Sequence, residues 1–348
     1  MRRMYCLAVL GLALLVMKPV SLTAGGGFLA NGPLPAVPVP ADNPQTDAKM
    51  RLGKALYFDT RLSADNSISC ATCHIPKAGW ANVTATDTGI GKQVGDRNSG
   101  TIIDAAHMKF QFWDGRAGSL EEQALGPIHN PIEMGETLEN VVRKLNDIAG
   151  YREMFREVFG TAVTSDGIAK AIAAFERTIV SGSSPFDLYR AGDKKAMSAA
   201  AVRGMDLFNG KAHCTACHSG PTFSDQSFHN LGVGMNAAKP SPGRQKVTGD
   251  PKDFGRFKTP GLRNVARTAP YLHDGSEKTL MDVVKLYDRG GIPNPNLDRQ
   301  MLPLTLTERE AKDLVAFMEA LTGIFPVMDA PPLPGIASMQ KTEEGGAK

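Results

Sequence analysis

The chain has 348 residues, 42% hydrophobic and 22% charged, with a formal net charge of +3. That length suits one large or two medium domains with a real core, and the composition excludes a disordered or collagen-like chain. No apolar run reaches the ~18 residues of a membrane span, and so small a net charge supports no nucleic-acid partner.

Residues 1–24 read as a secretory signal peptide. Arg2 and Arg3 precede an apolar stretch from Leu7 to Met17, and small residues around Ser21-Leu22-Thr23-Ala24 offer cleavage after Ala24. The competing reading, an uncleaved single-span anchor, asks for a longer apolar stretch than this one. Cys6 precedes the stretch and leaves with the signal. Without Arg2, Arg3 and Lys18 the exported chain has 36 basic and 36 acidic residues. It is then about neutral, has no membrane span, and belongs in the periplasm.

Pro33, Pro35, Pro38, Pro40 and Pro44 make residues 25–47 a Pro-rich linker. A first domain is expected over 48–190. Gly53-Lys54-Ala55-Leu56 and Phe58 form a helical pattern leading into Cys70-Ala71-Thr72-Cys73-His74, and the Gly-rich, polar residues 83–100 form a long loop. Ile168, Ile172, Phe175 and Ile179 recur at helical spacing behind the caps Thr164 and Ser165.

A second domain is expected over 191–324. Gly204-Met205-Asp206-Leu207 and Phe208 repeat the first pattern ahead of Cys214-Thr215-Ala216-Cys217-His218, and residues 232–260 form another long loop. Thr279 and Asp282 start a helix whose Leu280, Val283, Val284 and Tyr287 share a face. Thr307 and Glu310 box the start of a last helix carrying Leu314, Phe317, Met318 and Leu321, with Gly323 as its stop. Residues 325–348 are a Pro-rich tail, either a surface strap or a frayed end. Strand signals are scarce. The expected fold is mainly α, two tandem cytochrome-c-like domains with long loops and little strand.

Four of the five cysteines remain after export, as two pairs. An oxidising compartment makes disulfides the default, and such spacing also suits a redox dithiol or a four-thiolate zinc site. The histidine directly after each second cysteine discriminates. Covalent haem attachment takes both thiols as thioethers and the adjacent imidazole as the proximal iron ligand. Two such histidines among seven point to two covalently bound haem c groups, one at Cys70, Cys73 and His74 and one at Cys214, Cys217 and His218.

Three further motifs accompany them in order: Phe112-Trp113-Asp114-Gly115-Arg116-Ala117, Asn130-Pro131-Ile132-Glu133-Met134 and Tyr271-Leu272-His273-Asp274-Gly275. Together with the haem motifs they resemble the bacterial dihaem cytochrome c peroxidase and MauG family, over roughly residues 45–325. The resemblance implies a peroxide site at the first haem and an electron-transfer haem at the second. It implies that Trp113 couples the two and that Glu133 and Gln123 line the peroxide pocket. It also implies one calcium ion between the haems, held by the Asn98 side chain and the Thr268 and Pro270 carbonyls. The alternative for Trp113 is a buried core tryptophan, and spacing alone would make Glu133 a surface acid, a reading that only the resemblance reverses. Glu133 nevertheless suits the chemistry, because splitting an O–O bond needs a proton taken from one oxygen and returned to the other. Gln123 can orient a peroxide but cannot transfer a proton.

Two positions depart from conventional members. Those use methionine as the sixth ligand of the second haem, where this chain has Tyr287, fourteen residues after His273; MauG also has tyrosine there. A core tyrosine with a satisfied hydroxyl is the alternative. Thioether sulfur favours ferrous iron, and a phenolate favours ferric or more oxidised iron. Ligation by Tyr287 would make the second haem a poor electron reservoir and would favour MauG-like oxidation of a protein substrate. Conventional members also close the resting peroxide site with a loop histidine, whereas residues 75–106 contain no His, Met or Tyr. The first haem is therefore expected to be five-coordinate or water-bound; Lys77 or Lys92 could bind only after losing a proton. His107, His129 and His229 are expected to be structural, and His273 to play a supporting part near the haem propionates.

The expectation is a periplasmic dihaem c-type peroxidase that reduces hydrogen peroxide at its N-terminal haem. Electrons would pass through the C-terminal haem from a small donor protein, a cytochrome c or cupredoxin, or from a protein substrate. A homodimer is left open. The alternatives are a non-catalytic dihaem electron-transfer cytochrome and a zinc or dithiol protein.

Overall fold

The computed structural model describes residues 32–335, so the signal-peptide expectation lies outside the described residues. Helices α1 (Asp47–Phe58), α2 (Cys70–Cys73), α3 (Leu120–His129), α4 (Leu138–Asn146), α5 (Ala149–Phe159) and α6 (Ser165–Glu176) come first. They are followed by α7 (Pro185–Arg190), α8 (Ala199–Asn209), α9 (Gln245–Thr248), α10 (Leu280–Asp288) and α11 (Glu308–Glu319). Among the described residues the sheet is a single antiparallel pair, β1 (Phe228–His229) with β2 (Phe257–Lys258). The fold is mainly α, as the scarcity of strand signals predicts.

Local chemistry places the long helices. The Thr164 side chain accepts from Gly167 N–H to cap α6, and Thr279 and Thr307 close capping boxes with Asp282 and Glu310 at the starts of α10 and α11. Each such cap contributes about 1 kcal/mol. The expected stop at Gly323 is different: α11 already ends at Glu319. Gly323 is needed for packing, since a Cβ there would lie 2.3 Å from the Gly182 carbonyl oxygen. Residues 232–260 also carry more structure than a loop, because they contain α9 and β2.

The helix pattern repeated ahead of the two cysteine motifs has a packing cause. In α1, Gly53 lets the backbone of α6 approach so closely that a Cβ would sit 1.9 Å from the Ala171 carbonyl oxygen and 2.8 Å from Phe175 Cβ. In α8, Gly204 does the same against α11, at 1.9 Å from the Asp313 carbonyl oxygen and 2.9 Å from Phe317 Cβ. One apolar core forms around the first crossing, with Leu52, Leu56, Tyr57, Ile168 and Ile172 fully buried. A second core forms around the other, with Phe208, Phe223, Phe317 and Leu321. Each large apolar side chain so buried contributes roughly 1.5–3 kcal/mol. Gly53→Ala or Gly204→Ala is expected to destabilise by at least the ~1–3 kcal/mol of an overpacked core, because the opposing atom is backbone and cannot rotate away. Thermal unfolding checks this against Gly118→Ala, an exposed position whose nearest contact is an ordinary 3.7 Å.

A longer repeat lies between the cores. Asp104 and Asn264 are left-handed residues opening the one-turn helices Ala105–His107 and Val265–Arg267. Next come the bridges Gln111 to Ala117 and Tyr271 to Glu277, with Phe112 and Leu272 at positive φ inside them. Ser119 then caps α3 where Thr279 caps α10. Trp113 and His273 therefore occupy equivalent positions in the two halves. Phe325, Met328 and Leu333 return to pack on the first core, and Pro326 O accepts from the Trp80 indole N–H at 2.7 Å. The described part of the tail is a strap.

Candidate haem sites and the seam between them

Each cysteine motif is a tight turn that brings two thiols and an imidazole to one surface. His74 N–H bonds Cys70 O at 2.9 Å, and His218 N–H bonds Cys214 O at 2.8 Å. Beyond the backbone, each imidazole is aimed in the same way. His74 Nδ1 lies 3.0 Å from Gly100 O and His218 Nδ1 lies 2.9 Å from Phe223 O. A carbonyl on Nδ1 sets the tautomer that leaves Nε2 as a basic lone pair, the arrangement of a metal-bound histidine. Burial lowers the pKa of both imidazoles, which keeps them neutral and able to ligate.

The four thiols are unpaired. Burial pushes Cys70 and Cys214 up to about 12. Cys70 and Cys214, kept protonated by burial, lack the lowered pKa of a redox dithiol. The donor set fits covalently held haem in both domains.

Glu133 stands at the first site. Burial raises the pKa of both Cys70 and Cys73, and the nearby Glu133 carboxylate adds a smaller push in the same direction. The turn after α3 holds it: Asn130 Nδ2 donates to Glu133 Oε1 at 2.7 Å, and Ile90 N–H donates to the Glu133 carbonyl at 2.8 Å. Burial raises the carboxyl pKa, outweighing the Arg116 guanidinium and the Asn130 bond, which lower it. Gln123 is half-buried on α3. Lys77 pairs with Asp329 at 3.1 Å on the surface, and Lys92 is exposed.

Tyr287 belongs to the second site. On α10, with Leu280 and Val284 buried beside it, its phenol is pushed well above the usual tyrosine range by burial, then by the Cys217 and Cys214 sulfurs. No hydrogen bond to a described residue engages the hydroxyl, which differs from a core tyrosine with its hydroxyl satisfied.

Trp113 lies at the seam between the halves. Its ring centroid is 6.5 Å from that of His273, and Asn98 ties the two. Trp113 Nε1–H donates to Asn98 O at 2.8 Å, while Asn98 N–H donates to His273 O at 2.9 Å. The Asn98 amide donates to the Thr84 and Ala85 carbonyls, each at 3.2 Å. His273 is buried, stacks on Phe257 at 3.6 Å, and is drawn down to about 4 by burial. Thr268 directly precedes the cis peptide bond Ala269-Pro270, just ahead of His273. The seam thus gathers Asn98, Trp113 and His273, with Thr268 and Pro270 on the adjoining chain.

Comparison with known proteins decides the family. A model of the di-haem cytochrome c peroxidase family matches residues 47–195. The cytochrome-c peroxidase IdrP1 of Denitromonas iodatirespirans is 42% identical, over 92% of this chain and 94% of its own. The methylamine utilization protein MauG of Methylorubrum extorquens is also 42% identical, over 86% of this chain and 85% of its own. The chain belongs to the di-haem cytochrome c peroxidase family. A crystal structure of a MauG-like protein associated with microbial copper homeostasis superposes with a TM-score of 0.76 at 32% identity, covering 83% of this chain and 93% of that one.

Membership makes the protein an oxidoreductase acting on peroxide with two haem c cofactors, and the paired imidazoles and thiols suit them. The sequence pattern did not single out the aromatic cluster near the first cysteine pair. Tyr57, between Leu56 and Phe58 of the repeated motif, is fully buried, packs against Trp80 and Phe175, and has no partner for its hydroxyl. Glu176 lies near it and is raised by burial to about 8. Their only sequence signal is helical spacing on α1 and α6.

His229 is clamped between Asp298 (2.7 Å) and Asp225 (2.9 Å). Against the pull of burial, these bonds hold its imidazolium up to about 12. Cys217, Asp225 and His229 lie within 4.8 Å of one another, and the two carboxylates already engage both imidazole nitrogens.

Proposed function

We propose that this family member is a periplasmic, MauG-like peroxidase. In this reading the first site reduces hydrogen peroxide and the second site passes electrons inward from a small redox protein or a protein substrate. The observation that carries the reading is the pairing of two different side chains with two similar haem cradles: a carboxyl with a raised pKa near Cys70 and Cys73, and near Cys214 and Cys217 a phenol with no hydrogen-bond partner among the described residues. Equal identity to a cytochrome-c peroxidase and to a MauG does not choose between the donors, so Tyr287 carries that choice. Among the described residues no helix is long and apolar enough to cross a membrane.

Bound haem supplies the redox chemistry at both sites. The chain's own work is positional and protonic. His74 and His218 present a neutral Nε2. Glu133, held by Asn130, takes a proton from one peroxide oxygen and returns it to the other, and Gln123 orients the peroxide by its amide. Tyr287 offers a hard oxygen donor once its proton is lost, which favours the oxidised side of the second couple. Trp113 bridges the two sites, and Asn98, Thr268 and Pro270 offer side-chain and carbonyl oxygens suited to a calcium ion.

Adding stoichiometric hydrogen peroxide to the purified, haem-loaded protein tests the reading. Rapid spectral oxidation, reaching the second haem as well as the first, is expected. No rapid change would leave a non-catalytic electron carrier. In Trp113→Phe the second haem should respond more slowly than the first, with a stability loss of about 1 kcal/mol from the missing bond to Asn98.

A further inference from the structure

A basic groove lies close to the second cysteine pair. Lys252, Arg256, Leu297, Asp298 and Arg299 line a recess of about 420 Å³, and Asn296 Nδ2 donates to Pro251 O at 3.0 Å to join its two walls. Lys252 and Arg299 are exposed and form no ion pair among the described residues. The carboxylates nearby are already engaged. Asp298 Oδ2 lies 2.7 Å from His229 Nδ1, Asp250 accepts from the Lys252 backbone N–H at 2.9 Å, and Asp253 pairs with Arg256 at 3.4 Å. Arg256 Nε is buried with no partner among the described residues. Three cations around one neutralised carboxylate leave the groove positive, and a positive recess attracts and orients an acidic surface.

The lining reaches the second site in two contacts. Asp298 meets His229, and the ligating atoms of His229, Asp225 and Cys217 lie within 4.8 Å of one another. Backbone bonds hold the same route: Asp225 N–H donates to Cys217 O at 2.8 Å, and Asp298 N–H to Asn230 O at 2.9 Å. Cys217 is one of the two anchors for the second haem, so a protein seated in the groove would lie beside that anchor. Leu297, half-buried among the charges, adds the apolar contact that protein interfaces combine with a polar rim.

We propose that this groove docks an acidic face of the protein partner that supplies electrons to the second haem. This deepens the function proposed above and rests on its electron route through the second site. Each encounter passes one electron inward; two electrons and two protons balance the reduction of one hydrogen peroxide to two waters.

Acidic plant plastocyanin is the probe, with haem-loaded wild type, the double variant Lys252→Glu/Arg299→Glu, and Lys195→Glu, an exposed lysine outside the groove. Two quantities are read at low salt without peroxide: affinity for immobilised plastocyanin by surface plasmon resonance, and the rate at which the chemically reduced protein bleaches oxidised plastocyanin. The second runs electrons outward through the same contact. The double variant should lose at least about tenfold in both, the lower weight of electrostatic steering, and the loss should shrink as salt screens the charges. Lys195→Glu should stay with wild type, and exchange with a basic cytochrome c should not slow. Lys252→Gln/Arg299→Gln should fall between, and decides if the reversal variant takes up less haem. Unchanged affinity and rate would overturn the proposal, leaving at most a site for small anions. So would an equal loss in Lys195→Glu, or lost affinity with an unchanged rate, which would separate the groove from the second haem. With no peroxide present, failure of the peroxide reading would show in the stoichiometric-peroxide experiment and not in this one.

Discussion

Glu133→Gln is expected to slow peroxide turnover by about 10²- to 10⁴-fold, the usual weight of a positioned acid–base group, while leaving haem content intact. The amide keeps the size and hydrogen bonding of the side chain but cannot carry a proton. The pH profile makes the test specific. Burial raises the Glu133 carboxyl despite Arg116 and Asn130, and only the ionised form can accept the first proton. Wild-type turnover should therefore rise with pH through a midpoint above the ordinary glutamate value of about 4.3, and Glu133→Gln should lose that limb. Arg116→Gln removes an opposing charge, so it should move the limb to higher pH. Stopped-flow rates across pH decide the matter. A variant within tenfold of wild type that keeps the same limb would show that another group moves the proton.

The second large effect is expected at Tyr287. Tyr287→Met replaces a hard oxygen donor with a soft thioether. The midpoint of the second haem should rise by a sizeable part of the ~0.8 V over which axial ligands tune haem potentials, with a changed visible spectrum. The same protein should then behave as a conventional peroxidase, storing an electron at the second haem and accepting it from a reduced donor. Spectroelectrochemistry of the two forms is the measurement. Unchanged spectrum and potential would mean that the phenol is not bound, and the preference for MauG-like behaviour would go with it. Burial raises the phenol pKa, so the metal itself must drive loss of the proton; a cation coordinating the oxygen does this.

The parts of this protein that were legible before its fold are those whose chemistry is local. A histidine next to the second cysteine of each pair places three cofactor atoms within a single turn, and no distant residue can change that. Thr164, Thr279 and Thr307 cap helices because each hydroxyl reaches a backbone N–H three residues away. Tyr287 stood out only through the family position it shares with MauG, its spacing placing it on the apolar face of α10, and Glu133 only through its motif. Gly323 misled because a glycine after an apolar helix resembles a stop, whereas the constraint on it is the Gly182 carbonyl, more than a hundred residues away in the chain.

Sequence by itself determined that two haems are tethered in a helical chain and which side chains differ between them, because attachment, capping and helical periodicity act within a few residues. Tertiary structure alone decided that Trp113 and His273 are equivalent positions joined through Asn98, and that the hydroxyl of Tyr57 lies in the core near Cys70 with no partner among the described residues. Burial and the absence of a partner depend on every segment that packs nearby, and only the assembled chain brings those segments together.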